Sequence, residues 1–310
     1  MERCICCNSE IKDDYEKFTR VGYDNKIIYI CNICNRNGKL NYRSADYVNE
    51  KIYDYVNGNK TKMPLYGIEL EFEHKSSYPK FDSFLYSGSK LYRSEIVYGV
   101  KRNLKLDLMS SIGYNKILNI IGNVTDDGSL SEDSSEVILY PKSFNWLKYN
   151  RTLSDMLEIM RRYGYTDNTE AGLHISFNIN SVGRNVVIKI MNFLLDNEQI
   201  MRNISMRRNF YYAGFNRDNM LSIPSQNKYV VLSARTRKRA ELRLFKGTLS
   251  YKRVMRAIEF IDSLINMYSS KYYEGTDFSG YVDYLYLNKE RYNILLDFLV
   301  ERNIIQGVSV

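Results

Sequence analysis

Residues 66–73 read Tyr-Gly-Ile-Glu-Leu-Glu-Phe-Glu, and they predict the central strand of the fold. Apolar and acidic side chains alternate in it, which is the pattern of a β-strand with one buried face. The opposite face carries three carboxylates: Glu69, Glu71 and Glu73. Like charges two residues apart repel each other unless water or a cation neutralises them. The stretch therefore predicts a core strand whose polar face is either solvated or a cation site.

Length and composition predict a globular protein that can bury a sizeable core. The chain has 310 residues, of which 44% are hydrophobic and 26% charged. No apolar run approaches the roughly 18 residues that a membrane helix needs, and the N-terminus lacks the apolar region of a signal peptide. We therefore expect a soluble, cytoplasmic protein with no membrane partner. The formal net charge of +8 favours anionic partners such as nucleotides, nucleic acid or acidic peptides.

All five cysteines lie within the first 34 residues. Two Cys-x-x-Cys pairs match the spacing of a structural zinc site with four thiolates: Cys4, Cys7, Cys31 and Cys34. The segment between the pairs reads as a hairpin, and a lobe with so little apolar material needs a metal to hold it together. Disulfides are disfavoured in a cytosolic chain, and free thiols are the other alternative. Cys6 is the spare thiol, or it exchanges roles with Cys7.

The order of these features predicts three regions. Residues 1–45 form a zinc-ribbon lobe, residues 46–63 a linker helix, and residues 64–310 the main domain. Residues 75–103 are rich in Ser, Tyr, Gly and Lys without periodicity, which indicates an insertion near the site. Further helices are predicted over residues 143–163, 182–204, 251–272 and 288–303.

Three later strands repeat the polar-face pattern. Glu136 lies in a short strand that follows an Asp-Asp-Gly turn and ends at Pro141. His174 alternates with apolar residues between Gly172 and Asn180, where a structural histidine is the simpler alternative. The strand that begins at Arg239 places three side chains on its polar face: Glu241, Arg243 and Phe245. A Glu beside an Arg can be a surface ion pair, but four such strands together predict a site for divalent cations and phosphate.

The ordered set of motifs resembles the amidoligase family of the carboxylate-amine ligase superfamily, which includes glutamine synthetase and glutamate-cysteine ligase. The motifs are Gly67 to Glu71, Asp127 to Leu130 with Glu136 to Pro141, Gly172 to His174, and Glu241 to Leu249. They occur in the family's order and cover roughly residues 64–270, leaving out the zinc lobe and the insertion. The resemblance implies an α+β fold, in which helices flank a curved, mostly antiparallel sheet that holds ATP and divalent metal.

The resemblance also implies the role of each site residue. Glu69, Glu71, Glu136 and Glu241 bind magnesium or manganese, His174 binds metal or nucleotide phosphate, and Arg243 binds phosphate. The catalytic residues implied are Arg243, His174 and Glu241. Glu73 shares the face but lies beyond the motif, and Arg208 or Arg235 is a candidate for binding the acidic substrate. Many family members have a second His where this chain has Ser176.

Such a site would activate a carboxylate as an acyl phosphate and pass it to an amine, with magnesium neutralising the phosphate oxygens. The expected partners are an acidic small molecule, peptide or protein and an amine acceptor. Two other classes of function stay open. One is a nucleic-acid- or protein-binding protein on a degenerate ligase scaffold, and the other is a phosphotransferase that stops at a phosphorylated product.

The cysteine spacing generates a first prediction. We expect freshly purified protein to contain one zinc ion per chain, and we expect Cys31→Ser to lose it. Because metal binding and folding are coupled in such lobes, this variant should unfold the N-terminal region and leave much of the main domain intact. Elemental analysis measures the zinc content, and protein purified without stoichiometric zinc would contradict the prediction.

Overall fold

The structure is a computed structural model of the chain. It describes residues 2–3, 10–11, 17–21, 27–31, 64–74, 121–125, 134–139, 141–162, 165–167, 171–221, 227–234, 239–270 and 273–306. Cys4, Cys7 and Cys34 lie outside these residues, as do the predicted linker helix and the insertion at 75–103. Across the described helices, none is long and apolar enough to cross a membrane.

Among the residues that the structure describes before residue 64, there are four short strands. They are β1 Glu2–Arg3, β2 Glu10–Ile11, β3 Lys17–Val21 and β4 Ile27–Cys31. β1 pairs with β2, and β3 pairs antiparallel with β4 over five residues. The hairpin predicted between the two cysteine pairs is therefore confirmed, and Cys31 is the last residue of its second strand.

The main domain is built on one antiparallel sheet. Its strands are β5 Tyr66–His74, β6 Ile121–Thr125, β7 Ser134–Leu139, β8 Tyr165–Thr166, β9 Gly172–Asn178, β10 Leu232–Ser233 and β11 Arg239–Lys246. The described strands lie in the order β10-β11-β9-β5-β7-β6, and β8 pairs with the end of β5. The predicted α+β class, with helices flanking an antiparallel sheet, is confirmed.

Helices pack on the apolar face of this sheet. They are α1 Phe144–Tyr149, α2 Arg151–Arg162, α3 Ile179–Val182, α4 Arg184–Asp196, α5 Glu198–Ser205, α6 Arg217–Leu221, α7 Tyr251–Ser269, α8 Phe278–Leu287 and α9 Asn293–Glu301. Ile68, Leu70 and Phe72 of β5 are buried in the same core as the inner face of α7. The alternation that predicted β5 thus assigned its buried face correctly.

Two predicted helices are each divided in the structure. Residues 143–163 form α1 and α2, because Asn150 ends α1 and its side chain then accepts a hydrogen bond from the Thr152 backbone. Residues 182–204 form α4 and α5, separated at Asn197. The Asn197 amide donates to the backbone oxygens of Phe193 and Thr276, which ties this break to a distant segment. Asn competes for backbone hydrogen bonds in this way at helix ends.

A buried carboxylate fastens the sheet to the helices. Asp262 of α7 accepts a hydrogen bond from the Tyr66 hydroxyl at 2.7 Å and from Tyr292 at 3.0 Å. Arg291 donates to the same carboxylate at 2.9 Å. Burial raises the pKa of Asp262, and Arg291 acts in the opposite direction. A buried charge of this kind is tolerated because every neighbour supplies a donor.

This network generates a second prediction. Tyr66→Phe removes one donor to the buried carboxylate and should lower the free energy of unfolding by about 1.5 to 3 kcal/mol, as for hydrogen bonds to charged groups. Tyr149→Phe is the control, since Tyr149 is 70% exposed. Urea unfolding of both variants measures the difference. Equal stability of Tyr66→Phe and the wild type would contradict the role assigned to this bond.

Candidate metal and phosphate site

Strand pairing brings the predicted carboxylates together on the face opposite the helices. β5 lies between β7 and β9, so Glu71 is directly opposite Glu136, and Glu69 is directly opposite His174. Residues opposite each other in a sheet point to the same side, with β-carbons about 4.5 to 5.5 Å apart. Four residues that the sequence assigns to three separate strands therefore meet in one place.

The two nitrogens of His174 face two carboxylates of the same strand. Its Nδ1 lies 3.7 Å from Glu69 Oε2, and its Nε2 lies 3.4 Å from Glu71 Oε1. His174 and Glu71 are buried, with 3% and 6% of their surfaces exposed. Their neighbour Ser176 is also buried and lies opposite Glu241 and Gly67.

Gly172 is required by the close approach of these groups. Its backbone N–H donates a hydrogen bond to Glu71 Oε2. A β-carbon at this position would lie 2.6 Å from His174 Nε2 and 3.1 Å from Glu71 Oε2. Only glycine can lie so close to both side chains.

A β-bulge in β11 changes which side chains reach this face. Leu242 pairs with Ile175 and Phe245 with Leu173, so β11 has one residue more than β9 between these two pairs. The prediction that Phe245 shares the face of Glu241 is wrong. The extra residue returns Phe245 to the core, where its ring packs edge-to-face with Phe260 at 5.5 Å. Bulges re-aim side chains in this way next to functional sites.

Glu241 lies just before the bulge, and Arg243 lies within it. Their side chains form a close ion pair. Arg243 Nε lies 2.6 Å from Glu241 Oε1, and both side chains are largely buried. The backbone around Arg243 is held on both sides, because its N–H donates to Val231 and its carbonyl accepts from Arg207. The arginine predicted to bind phosphate is therefore fixed beside the carboxylates.

Arg239 is a member of the site that the sequence reasoning did not assign. Its guanidinium lies 3.4 Å from Glu69 Oε1 and 3.3 Å from Glu241 Oε2. It also donates to Ser176 Oγ at 3.3 Å. The signal was present in the sequence, because Arg239 is two residues before Glu241 and so lies on the same strand face.

The site carries more negative than positive charge. Four carboxylates (Glu69, Glu71, Glu136 and Glu241) stand against two guanidiniums, those of Arg239 and Arg243, which leaves a charge of −2 if His174 is neutral and every carboxylate is ionised. Burial raises the pKa of Glu69, with Arg239, Arg243 and a hydrogen bond to Glu136 acting against it. Holding all four carboxylates ionised in so buried a place requires a further cation.

The ligand atoms fall into two groups that share His174. Glu69, His174 and Glu241 form one, and Glu71, Glu136 and His174 form the other, with the ligand atoms in each group within 4.8 Å of one another. Carboxylate oxygens suit Mg²⁺ and Mn²⁺, and an imidazole is a common additional ligand for transition metals. The donor set therefore fits divalent cations, which would also supply the missing positive charge.

The remaining predicted residues are exposed, or they or their side chains lie outside the described part of the chain. Arg208 is exposed, and Arg235 and the Asp127 turn lie outside the described residues. Glu73 belongs to β5, but its side chain is not among those described.

No protein-family model and no curated protein matches the chain. Among solved structures, the chain is similar to GmaS without ligand, with 12% identity and a TM-score of 0.37 over 82% of this chain and 69% of that one. It is also similar to Plasmodium falciparum glutamine synthetase, with 12% identity and a TM-score of 0.36 over 81% and 61%. A third match is a bifunctional glutathione synthetase from Pasteurella multocida, with 12% identity and a TM-score of 0.37 over 78% and 46%. At these values, what the protein can do has to be judged from its own residues.

The close packing at Gly172 generates a third prediction. In Gly172→Ala the new methyl group displaces His174 or Glu71, so affinity for Mn²⁺ should fall by about 10- to 100-fold, as for other changes that misplace metal ligands. Calorimetric titration measures it. Gly214→Ala is the matched control, because a β-carbon there is 3.5 Å from the nearest atom. Unchanged Mn²⁺ affinity in a folded Gly172→Ala protein would contradict the metal assignment.

Proposed function

We propose that this protein is an ATP-dependent ligase that joins a carboxylate to an amine through an acyl phosphate. The observation that carries the proposal is the convergence of Glu69, Glu71, Glu136, His174 and Glu241 with two arginines on one face of the sheet. The order of the motifs along the chain, which resembles that of the amidoligase family, supports the same function.

Divalent metal would be held by the two ligand groups that share His174. Bound Mg²⁺ or Mn²⁺ supplies charge neutralisation for phosphate oxygens, which is what phosphoryl transfer requires. The residues of this chain contribute a water-poor setting, since Glu71, His174 and Glu241 are all buried. Charge interactions are stronger in such a setting than in bulk water.

Arg243 and Arg239 are the groups for binding a phosphoryl oxygen. A guanidinium is planar and always charged, and its donors match the oxygens of phosphate in pairs. Each of the two already faces a carboxylate of the site, which fixes its position. A group held in place in advance stabilises a transition state without paying for its own rearrangement.

We propose the chemical class of each of the two substrates. One is an acid, in the form of a small molecule, peptide or protein, and the other is an amine. We also propose that residues 1–45 bind one structural Zn²⁺ through Cys4, Cys7, Cys31 and Cys34.

Release of ADP, screened over pools of amino acids, peptides and polyamines with Mg²⁺ present, tests the function. A ligase should release ADP over many turnovers only when both an acid and an amine are supplied. With the amine left out, hydroxylamine should trap the acyl phosphate as a hydroxamate. Phosphorylated product without hydroxamate would instead establish a phosphotransferase, and no ATP turnover under any condition would contradict both.

The fourth prediction concerns Arg243. Arg243→Lys keeps the charge but loses the paired donors, and ATP turnover should fall by about 100- to 1000-fold, as for removal of one transition-state donor. Arg217→Lys is the control, because Arg217 forms an exposed pair with Asp196 and such pairs contribute only about 0 to 1 kcal/mol. Near-normal turnover in Arg243→Lys would remove this residue from the catalytic set.

A further inference from the structure

The excess positive charge of the chain is confined to one segment. Residues 199–240 contain nine Lys and Arg and one carboxylate, Asp218. Because the whole chain has 44 Lys and Arg and 36 Asp and Glu, the rest carries 35 of each and is neutral. Three of the nine pair with carboxylates outside the segment: Arg202 with Glu198, Arg217 with Asp196, and Arg239 with Glu69 and Glu241. Concentrated charge of this kind is typical of a surface that meets a polyanion.

Within this segment three tyrosine rings form a continuous row. Tyr211 and Tyr212 pack edge-to-face at 4.9 Å, and Tyr212 packs against Tyr229 at 5.1 Å. Tyr211 is 74% exposed and Tyr229 is 38% exposed. We call these three rings the tyrosine row. Large exposed aromatic side chains in a cluster indicate a binding surface.

One exposed cation lies beside a ring of the tyrosine row, and another precedes the row in the chain. Lys228 Nζ lies 5.1 Å from the centre of the Tyr229 ring, and Arg208 is exposed three residues before Tyr211. Neither cation forms an ion pair with a carboxylate in the part of the chain that the structure describes. Both charges are therefore available to an anionic partner.

The row is attached firmly to the edge of the sheet. Gly214 donates to the Tyr229 backbone oxygen and accepts from Val231, so the two segments that carry the rings are joined by backbone hydrogen bonds. Val231 in turn accepts from Arg243 and leads into β10, which is the last described strand on this side of the sheet. The guanidinium of Arg202 packs against the rings of Phe210 and Phe215, which lie on either side of Tyr211 and Tyr212 in the chain. Backbone hydrogen bonds thus connect this surface to β11, the strand that carries Glu241 and Arg243.

From these observations we infer that the tyrosine row, with Arg208 and Lys228, binds single-stranded nucleic acid. Unpaired bases stack on exposed aromatic rings, while cations beside the rings bind the phosphates between them. An acidic polypeptide would use the cations but has no base to stack on the rings. A duplex hides its bases and would leave the rings unused.

Fluorescence anisotropy with a labelled 20-nucleotide oligo(dT) tests the inference on the full chain, without ATP or Mg²⁺. Tyr211→Ala combined with Tyr229→Ala should weaken binding by about 5- to 150-fold for each base that no longer has a ring to stack on. Arg208→Ala combined with Lys228→Ala should reduce the slope of log affinity against log salt concentration by about 1.4, because each phosphate of a single strand that a cation neutralises contributes about 0.7. Tyr149→Ala, which removes an equally exposed ring elsewhere, should change nothing.

Three results would overturn the inference: no binding of oligo(dT), binding that neither double variant weakens, or poly-glutamate binding that depends on the tyrosines as strongly as oligo(dT) binding does. The second result would place the binding surface elsewhere on the chain, and the third would indicate an acidic polypeptide as the partner. ADP release measured on the tyrosine double variant separates this surface from the ligase site. We expect it to be unchanged, because neither tyrosine belongs to the catalytic set.

Discussion

The pairing of β5 with β7 and β9 is the constraint on which the site depends. It sets Glu71 opposite Glu136 and Glu69 opposite His174, so backbone hydrogen bonds hold like charges together that would otherwise separate. A shift of one residue in either register would move the carboxylates into the core and the apolar residues out of it. The buried face of β5 therefore stabilises the unfavourable arrangement on its other face.

The two faces of the sheet differ in how their polar groups are balanced. One face of the sheet packs against helices and includes the Asp262 network, in which each polar group has a partner. The other face gathers carboxylates around His174 with too few cations to balance them. A sheet face that gathers buried carboxylates with too few positive charges is expected where a cation is bound.

The positive charges of this part of the domain lie in two places. Two arginines lie inside the carboxylate cluster, and exposed cations lie beside the tyrosine row at the neighbouring edge of the sheet. β11 connects these places, since it carries Glu241 and Arg243 and its backbone is bonded to Val231. The tyrosine row and the candidate site are thus linked through backbone hydrogen bonds by way of Val231.

Alternation along the chain was enough to predict β5, β7, β9 and β11, the buried faces of β5 and β9 and most residues of the candidate site, because it is a local property that the side chains of one strand impose. It also located Glu69, Glu71, Glu136, His174 and Glu241 on polar faces. The same alternation places Arg239 on the face of Glu241, although its contact with Glu69 on another strand depends on how the strands pair. The tertiary structure alone fixed that Phe245 turns back into the core, because this depends on the bulge between β11 and β9, which packing between distant segments sets and no local pattern encodes.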